Sequence, residues 1–268
     1  MTGKRSRLFS AYGWFVLVFL YLPIIVLMLY SFNQSRINAV WTGFTWKWYL
    51  SLLENRHAME ALANSLTIAA WSSLLATLLG TLAALALHRY AAGVKAVLNG
   101  LIYLPIIIPD ILMGLSLLVL FSQIGMSLGK LTMIAAHVTF GISFVVVIIS
   151  ARLAGMGNEL EEAAQDLGAS PWQTFRHVTL PVIAPGVVAS LLLTFTMSLD
   201  DFVISFFVAG PNSTTLPLYI YGLVKRGVSP EVNALSTLMI AVTILLLVAA
   251  EVFRRKGMEK EPGNSLIM

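Results

Sequence analysis

Six apolar runs, each long enough to cross a bilayer, constrain the fold of this chain more than any other feature. They cover about Ala11–Phe32, Ala61–Leu87, Val97–Phe121, Leu131–Ala151, Val182–Val208 and Ala234–Phe253. Hydrocarbon offers no water to backbone N–H and C=O groups, so a spanning run must satisfy them internally as a helix. The expected fold class is all-α, a polytopic membrane protein with about six transmembrane helices. Only 11% of the 268 residues are charged and 58% are hydrophobic, which leaves no room for a separate soluble domain. Residues 1–268 therefore read as a single transmembrane domain. Lys4, Arg5 and Arg7 precede the first run as they would in a signal peptide. That run is too long for such a peptide's apolar region and has no small-residue cleavage site, so it reads as an uncleaved span.

Six spans place both ends of the chain on one side. The N-terminus, the turn after His88, the segment Arg152–Arg176 and the C-terminal tail hold Lys4, Arg5, Arg7, Arg89, Lys95, Arg152, Arg176, Arg254, Arg255, Lys256 and Lys260. The opposite loops hold Arg36, Lys47, Arg56, Lys130, Lys225 and Arg226. Eleven basic residues against six orient both termini toward the cytoplasm. The net charge of +4 thus follows topology, and no basic stripe for nucleic acid is present.

One long polar passage interrupts the apolar pattern, Asn158 to Gly186. Leu160, Ala163, Ala164 and Leu167 recur at the spacing of one helical face. Asn158 is placed to cap that helix, Glu159, Glu161 and Glu162 suit its positive end, and Gly168 suits a left-handed stop. Ser170-Pro171-Trp172-Gln173 reads as a capping box with proline at the first helical position. The expectation is a cytoplasmic helix–turn–helix over 158–181, ending at Leu180-Pro181 and presenting acids, Trp172 and Phe175 to a partner.

Acids inside the runs are the second anomaly. Asp110 follows Pro105 and Pro109 near the middle of the third run, and Asp200 and Asp201 follow Ser198 in the fifth. A carboxylate at the bilayer centre costs about 2.5–3.5 kcal/mol on insertion scales, so such groups face a bundle interior or a wet path. The prolines break the helix ladder, which is tolerated where backbone lines a cavity. Three charges of one sign suit a cleft that attracts a polycation. Other readings stand beside this one. Asp110 can cap a restarted helix, Ser198 can bond its own helix backbone, and adjacent Asp200 and Asp201 point about 100° apart, so one of them packs. In the first outer loop Trp41, Phe44, Trp46, Trp48 and Tyr49 suit an interfacial belt, and Trp48 also suits cation–π contact with an ammonium group.

Several chemistries find no support. Gly125–Lys130 has three residues between its glycines, one short of a phosphate loop, so ATP hydrolysis needs another subunit. His57, His88, His137 and His177 are scattered and show no metal-ligand spacing. No nucleophile–base constellation is visible.

Glu162-Ala163-Ala164, then Gly168, then Val178, Leu180 and Pro181 resemble the EAA loop of ABC-importer permease subunits, with valine where isoleucine is usual. Further stretches extend the resemblance over nearly the whole chain. They are Tyr30–Asn33 with Ser35-Arg36, Gly43–Thr45 with Lys47–Tyr49, Pro109-Asp110, Glu162–Ser170, Ser198–Asp201 and Gly227–Leu235. Together they are similar to the spermidine/putrescine permeases, most of all to the second permease subunit of that importer. The resemblance implies a type I importer fold with the EAA loop docked on an ATPase subunit. It implies as partners a homologous second permease subunit, two ATPase subunits that use ATP and magnesium, and a periplasmic polyamine-binding protein. It carries Asp110, Ser198, Asp200, Asp201 and Trp48 over to the substrate path, and Glu162, Ala163, Ala164, Gly168, Leu180 and Pro181 to ATPase coupling. No cofactor is expected on this chain, no metal site and no nucleic-acid partner. Pro171 stands where some relatives carry an acid. A related importer for another cationic solute would use the same residues, whereas anions fit three carboxylates poorly. A secondary transporter or channel explains the acids but not the EAA hairpin, and a scaffold or sensor subunit needs the hairpin but not the acids.

Overall fold

The computed structural model describes residues 2–35, 40–89, 92–157, 159–227 and 229–259. Asn158, the expected cap, lies outside these residues, as do Arg36, Val228 and Lys260. Among the described residues every regular element is helical, and the one β feature is an isolated bridge between Asn33 and Phe44. Five helices are long and apolar enough to cross a membrane: Phe9–Tyr30, Arg56–His88, Lys130–Met156, Pro171–Asp200 and Pro230–Ala249.

The third expected span is not straight. Helix α4 (Ala92–Ile107) and helix α5 (Asp110–Gln123) meet at a bend of 111°. The break falls at Pro109, whose extended backbone is incompatible with either helix. Pro105 sits inside α4 without ending it. The fifth expected span also ends early. Helix α9 (Leu180–Asp200) stops at Asp201, and a short helix α10 (Val203–Val208) follows.

The chain forms two compact units. The first contains helix α1 (Thr2–Tyr30), the first outer loop, helix α2 (Lys47–Glu54) and Tyr219–Ala241. Asn33 organises its loop, since its amide nitrogen donates to Val40 O (2.8 Å) and its side-chain oxygen accepts Thr42 N–H (3.0 Å). Asn55 ties the unit together by donating to Tyr219 OH (3.1 Å) and Glu231 Oε1 (3.0 Å).

The second unit is Glu60–Leu218 with the chain after Val242. Helix α6 (Lys130–Met156) is its hub and packs against α4, α5, α9 and α10. Two apolar clusters hold it, one around Ile68, Met133, Phe140 and Ile204, the other around Val145, Ile149, Leu153 and Ile183. Between them Gly141 allows Ala76 to approach so closely that a Cβ there would stand 2.8 Å from it. Small residues permit such close helix approach within a bilayer.

Candidate functional site: an acidic cleft and a polar hairpin

A cleft of about 480 Å³ opens in the second unit. Its lining includes Pro105 and Ile106 of α4, Asp110 at the start of α5, Phe140 and Phe144 of α6, and Met197 with residues 200–204 at the α9–α10 break. The two breaks seen in the fold thus supply its acids. Asp110 is the first residue of α5, Pro109 holds the cap position, and no side-chain capping bond forms. The helix-cap reading of Asp110 is therefore not what the structure shows, and the carboxylate is exposed.

Asp200 and Asp201 both line the cleft but in different states. Asp200 ends α9 and is exposed. Asp201 turns back into the protein, where its carboxylate accepts Ser205 N–H at 2.7 Å and lies 3.2 Å from His137 Nε2. His137 Nδ1 stands 2.6 Å from Ser198 Oγ, and Ser72 Oγ donates to that same oxygen at 3.0 Å. A tautomer with the proton on Nε2 satisfies this chain: Ser72 donates to Ser198, Ser198 to Nδ1, and Nε2–H to Asp201. Ser198 therefore pairs across helices and not with its own helix backbone, and it is buried away from the cleft lining.

His137 is the residue that sequence reasoning missed. Its partners lie 61 to 68 positions away, so spacing along the chain could not reveal it. The available signal was simpler: a histidine inside an apolar span is itself an intramembrane ionisable group. The rings of Phe140, Phe144 and Phe202 in the lining were also unforeseen. Trp48 is placed elsewhere, in the first unit, with only 8% of its surface exposed. Its indole N–H donates to Asn33 O at 2.7 Å, and Lys47 Nζ sits 5.8 Å from the ring centroid. The ring is engaged in loop packing and already faces a cation of its own chain.

The polar passage folds largely as expected at its first half. Helix α7 (Glu159–Asp166) ends at Gly168, which has φ +88°. Ser170 caps the short helix α8 (Pro171–Thr174), its Oγ accepting Gln173 N–H while Gln173 Oε1 accepts Ser170 N–H at 2.8 Å. The second half differs. No helix ends at Leu180-Pro181, because α8 runs through a π-helical turn, Phe175–Thr179, directly into α9. Pro181 has no N–H for an α-helical bond, and the wider turn just before it absorbs the missing partner. Much of the hairpin's apolar surface is exposed: Leu160 on α7 is 51% exposed, Leu167 just after it 90% and Trp172 on α8 66%.

An all-helical bundle that breaks its own spans around an acidic cleft, and extends one span into an uncovered hairpin, defines an integral-membrane transport subunit. Residues 76–256 match the family model of the binding-protein-dependent transport system inner membrane component, and the chain belongs to that family. It is a multi-pass inner-membrane protein. It is 44% identical to the spermidine/putrescine transport system permease protein PotC of Escherichia coli (strain K12), over 93% of this chain and 94% of that one. Identity to PotC of Haemophilus influenzae is 45%, over 95% and 99% of the two chains. The putrescine transport system permease protein PotI of Escherichia coli is 44% identical over 83% and 82%. Among solved structures, a bacterial ABC transporter involved in alginate import superposes with a TM-score of 0.72, at 22% identity and 94% coverage of both chains. The MetNI methionine ABC transporter gives 0.60 at 18% identity, covering 76% of this chain and 99% of that one. The fold is that of the type I ABC importer permeases.

Proposed function

We propose that this chain is a permease subunit of an ATP-driven importer that carries polyamines, spermidine or putrescine, into the cytoplasm. The observation that carries the reading is the cleft, where Asp110, Asp200 and Asp201 are joined by three phenylalanine rings and, among the described residues, no basic side chain lines the space. Carboxylates attract ammonium groups, and aromatic faces add cation–π attraction over the apolar stretches between them. The names of the relatives at 44–45% identity supply the particular cation. Asp110 and Asp200 are the substrate-path residues in this reading.

Ser198 supports the path through His137. Trp48 belongs to the path on the resemblance alone, its indole being held by its own loop. Residues 1–268 act as one transmembrane domain with both termini cytoplasmic. The hairpin of α7 and α8 docks on an ATPase subunit, which supplies ATP hydrolysis with magnesium. The uncovered Leu167 and Trp172 support this, because exposed apolar patches mark interaction sites. Glu162, Ala163, Ala164, Gly168, Leu180 and Pro181 carry the coupling. A homologous permease completes the path, and a periplasmic polyamine-binding protein delivers the substrate.

The test is uptake of labelled spermidine and putrescine into vesicles holding the complete importer. ATP-dependent and binding-protein-dependent uptake is the expected result. No uptake of either by an assembled importer would sink the reading.

A further inference from the structure

Outside the two features already given a role stands one buried ionisable side chain with a complete set of partners. His137 is fully buried in α6 and reaches Ser198 on α9 through one nitrogen, and Asp201 and Ser205 through the other. These atoms flank the break at which α9 ends and α10 begins. We infer that His137 is the positioning residue of the acidic cleft. By holding Asp201 and Ser198 together it fixes the 200–203 break, keeps the Asp201 carboxylate turned inward, and leaves Asp200 as the acid that α9 presents to the substrate.

The geometry requires this division of labour. Asp201 accepts Ser205 N–H at 2.7 Å, so its carboxylate organises the start of α10. It keeps only 10% of its side-chain surface exposed, against 0% for His137. Without the imidazole the carboxylate would keep only the backbone donors of Ile204 and Ser205 and would swing toward the open cleft, beside Asp200. The imidazole prevents that by giving it a donor. The other ring nitrogen links the same break to Ser72 on helix α3 (Arg56–Arg89), so three helices share one pin. The charged groups near the break are Asp110, Asp200 and Asp201, all named in the cleft lining, and His137 is the basic ring that meets one of them.

This inference rests on the polyamine reading for its transport assay but not for its structural one. The chain has no cysteine, so Val203→Cys gives a single thiol in the cleft lining. In the complete importer, labelling of that thiol by a cationic methanethiosulfonate reagent would be compared in His137→Leu, His137→Asn and His137→Gln backgrounds. Glutamine reaches the Nε2 position and can still donate to Asp201, whereas asparagine reaches only the Nδ1 position. Labelling should speed up about tenfold in the leucine and asparagine backgrounds, the scale set by losing one hydrogen bond to a charged group, and return toward the parent rate with glutamine.

In the uptake assay the same leucine and asparagine variants should raise KM about tenfold with the maximal rate per assembled importer held within about twofold. Glutamine should restore KM. Equal labelling in all backgrounds would overturn the inference. So would a loss of maximal rate that tracks membrane level at unchanged KM, the behaviour of a merely structural histidine. Altered labelling in an assembled importer that transports no polyamine would instead leave the positioning role standing and remove the substrate assignment.

Discussion

Thr179 donates its hydroxyl to Glu161, joining the first helix of the polar hairpin to the foot of the helix that ends at Asp200. Thr179 is buried and Glu161 half-buried, so the bond is partly sheltered from water. It adds a polar tie where α7 already packs against the π-helical turn and α8. This bond is thus one point at which movement of α7 is passed to α9.

Removing that point should weaken coupling and spare assembly. Thr179→Val keeps the shape and leaves Glu161 without its donor, a loss of about 1.5–3 kcal/mol for a hydrogen bond to a charged group. Uptake per assembled importer should fall about tenfold. The ratio of ATP hydrolysed to polyamine moved should rise, measured in the same vesicles.

The cleft acids should separate by their surroundings. Asp200→Asn and Asp110→Asn remove exposed charges that meet no folding partner in the cleft, so membrane levels should stay normal while polyamine uptake falls at least about tenfold, the worth of one charge-assisted contact. Asp201→Asn leaves His137 Nε2 and Ser205 N–H with a weaker acceptor. It should lower the detergent-solubilised melting temperature as well as uptake. A blot and a thermal-shift measurement alongside uptake distinguish the two patterns.

The hairpin surface should behave as a docking face. Leu167→Asp changes a side chain that is 90% exposed, so the permease should fold and insert as before. Copurification of the ATPase subunit should be lost, and substrate-stimulated ATP hydrolysis with it. Retention of both would leave the exposed stripe without a function.

Gly210 offers a purely steric prediction. A Cβ at that position would stand 1.9 Å from Leu128 O and 2.8 Å from Gly129 N, both backbone atoms that cannot rotate away. Gly210→Ala should destabilise the second unit by about 1–3 kcal/mol, the usual penalty for overpacking. The melting temperature of the purified subunit reads it directly.

Much of this architecture is legible in the chain because the bilayer demands it. Length and hydropathy place the spans, and local turn chemistry places Gly168 and the Ser170 capping box at the positions the structure shows. Breaks inside spans are less visible. The fifth apolar run continues to Val208, and what ends the helix at Asp201 is a carboxylate that competes for the N–H of Ser205. A run of hydrophobic letters does not report that competition. Pro181 misleads in the opposite sense: proline marks a helix end, yet the π-helical turn lets the helix pass. His137 stayed hidden because a three-dimensional partner set has no period. Asp110, Asp200 and Asp201 were visible because a charge in hydrocarbon is conspicuous on its own, and the bend at Pro109 brings the first to the other two.

The uninterrupted passage from Pro171 to Asp200 has a mechanical meaning. Its 30 residues amount to a stiff arm about 45 Å long at 1.5 Å per residue. The hairpin sets one end of the arm, and its other end bears Asp200, the carboxylate that meets the cargo in the proposed function. Held at the foot, a tilt of about 5° sweeps that carboxylate through about 4 Å, more than the length of a hydrogen bond. On the proposed function, a small stroke at the hairpin is thus geared up into release, and energy spent on one face of the membrane loosens a grip formed deep within it.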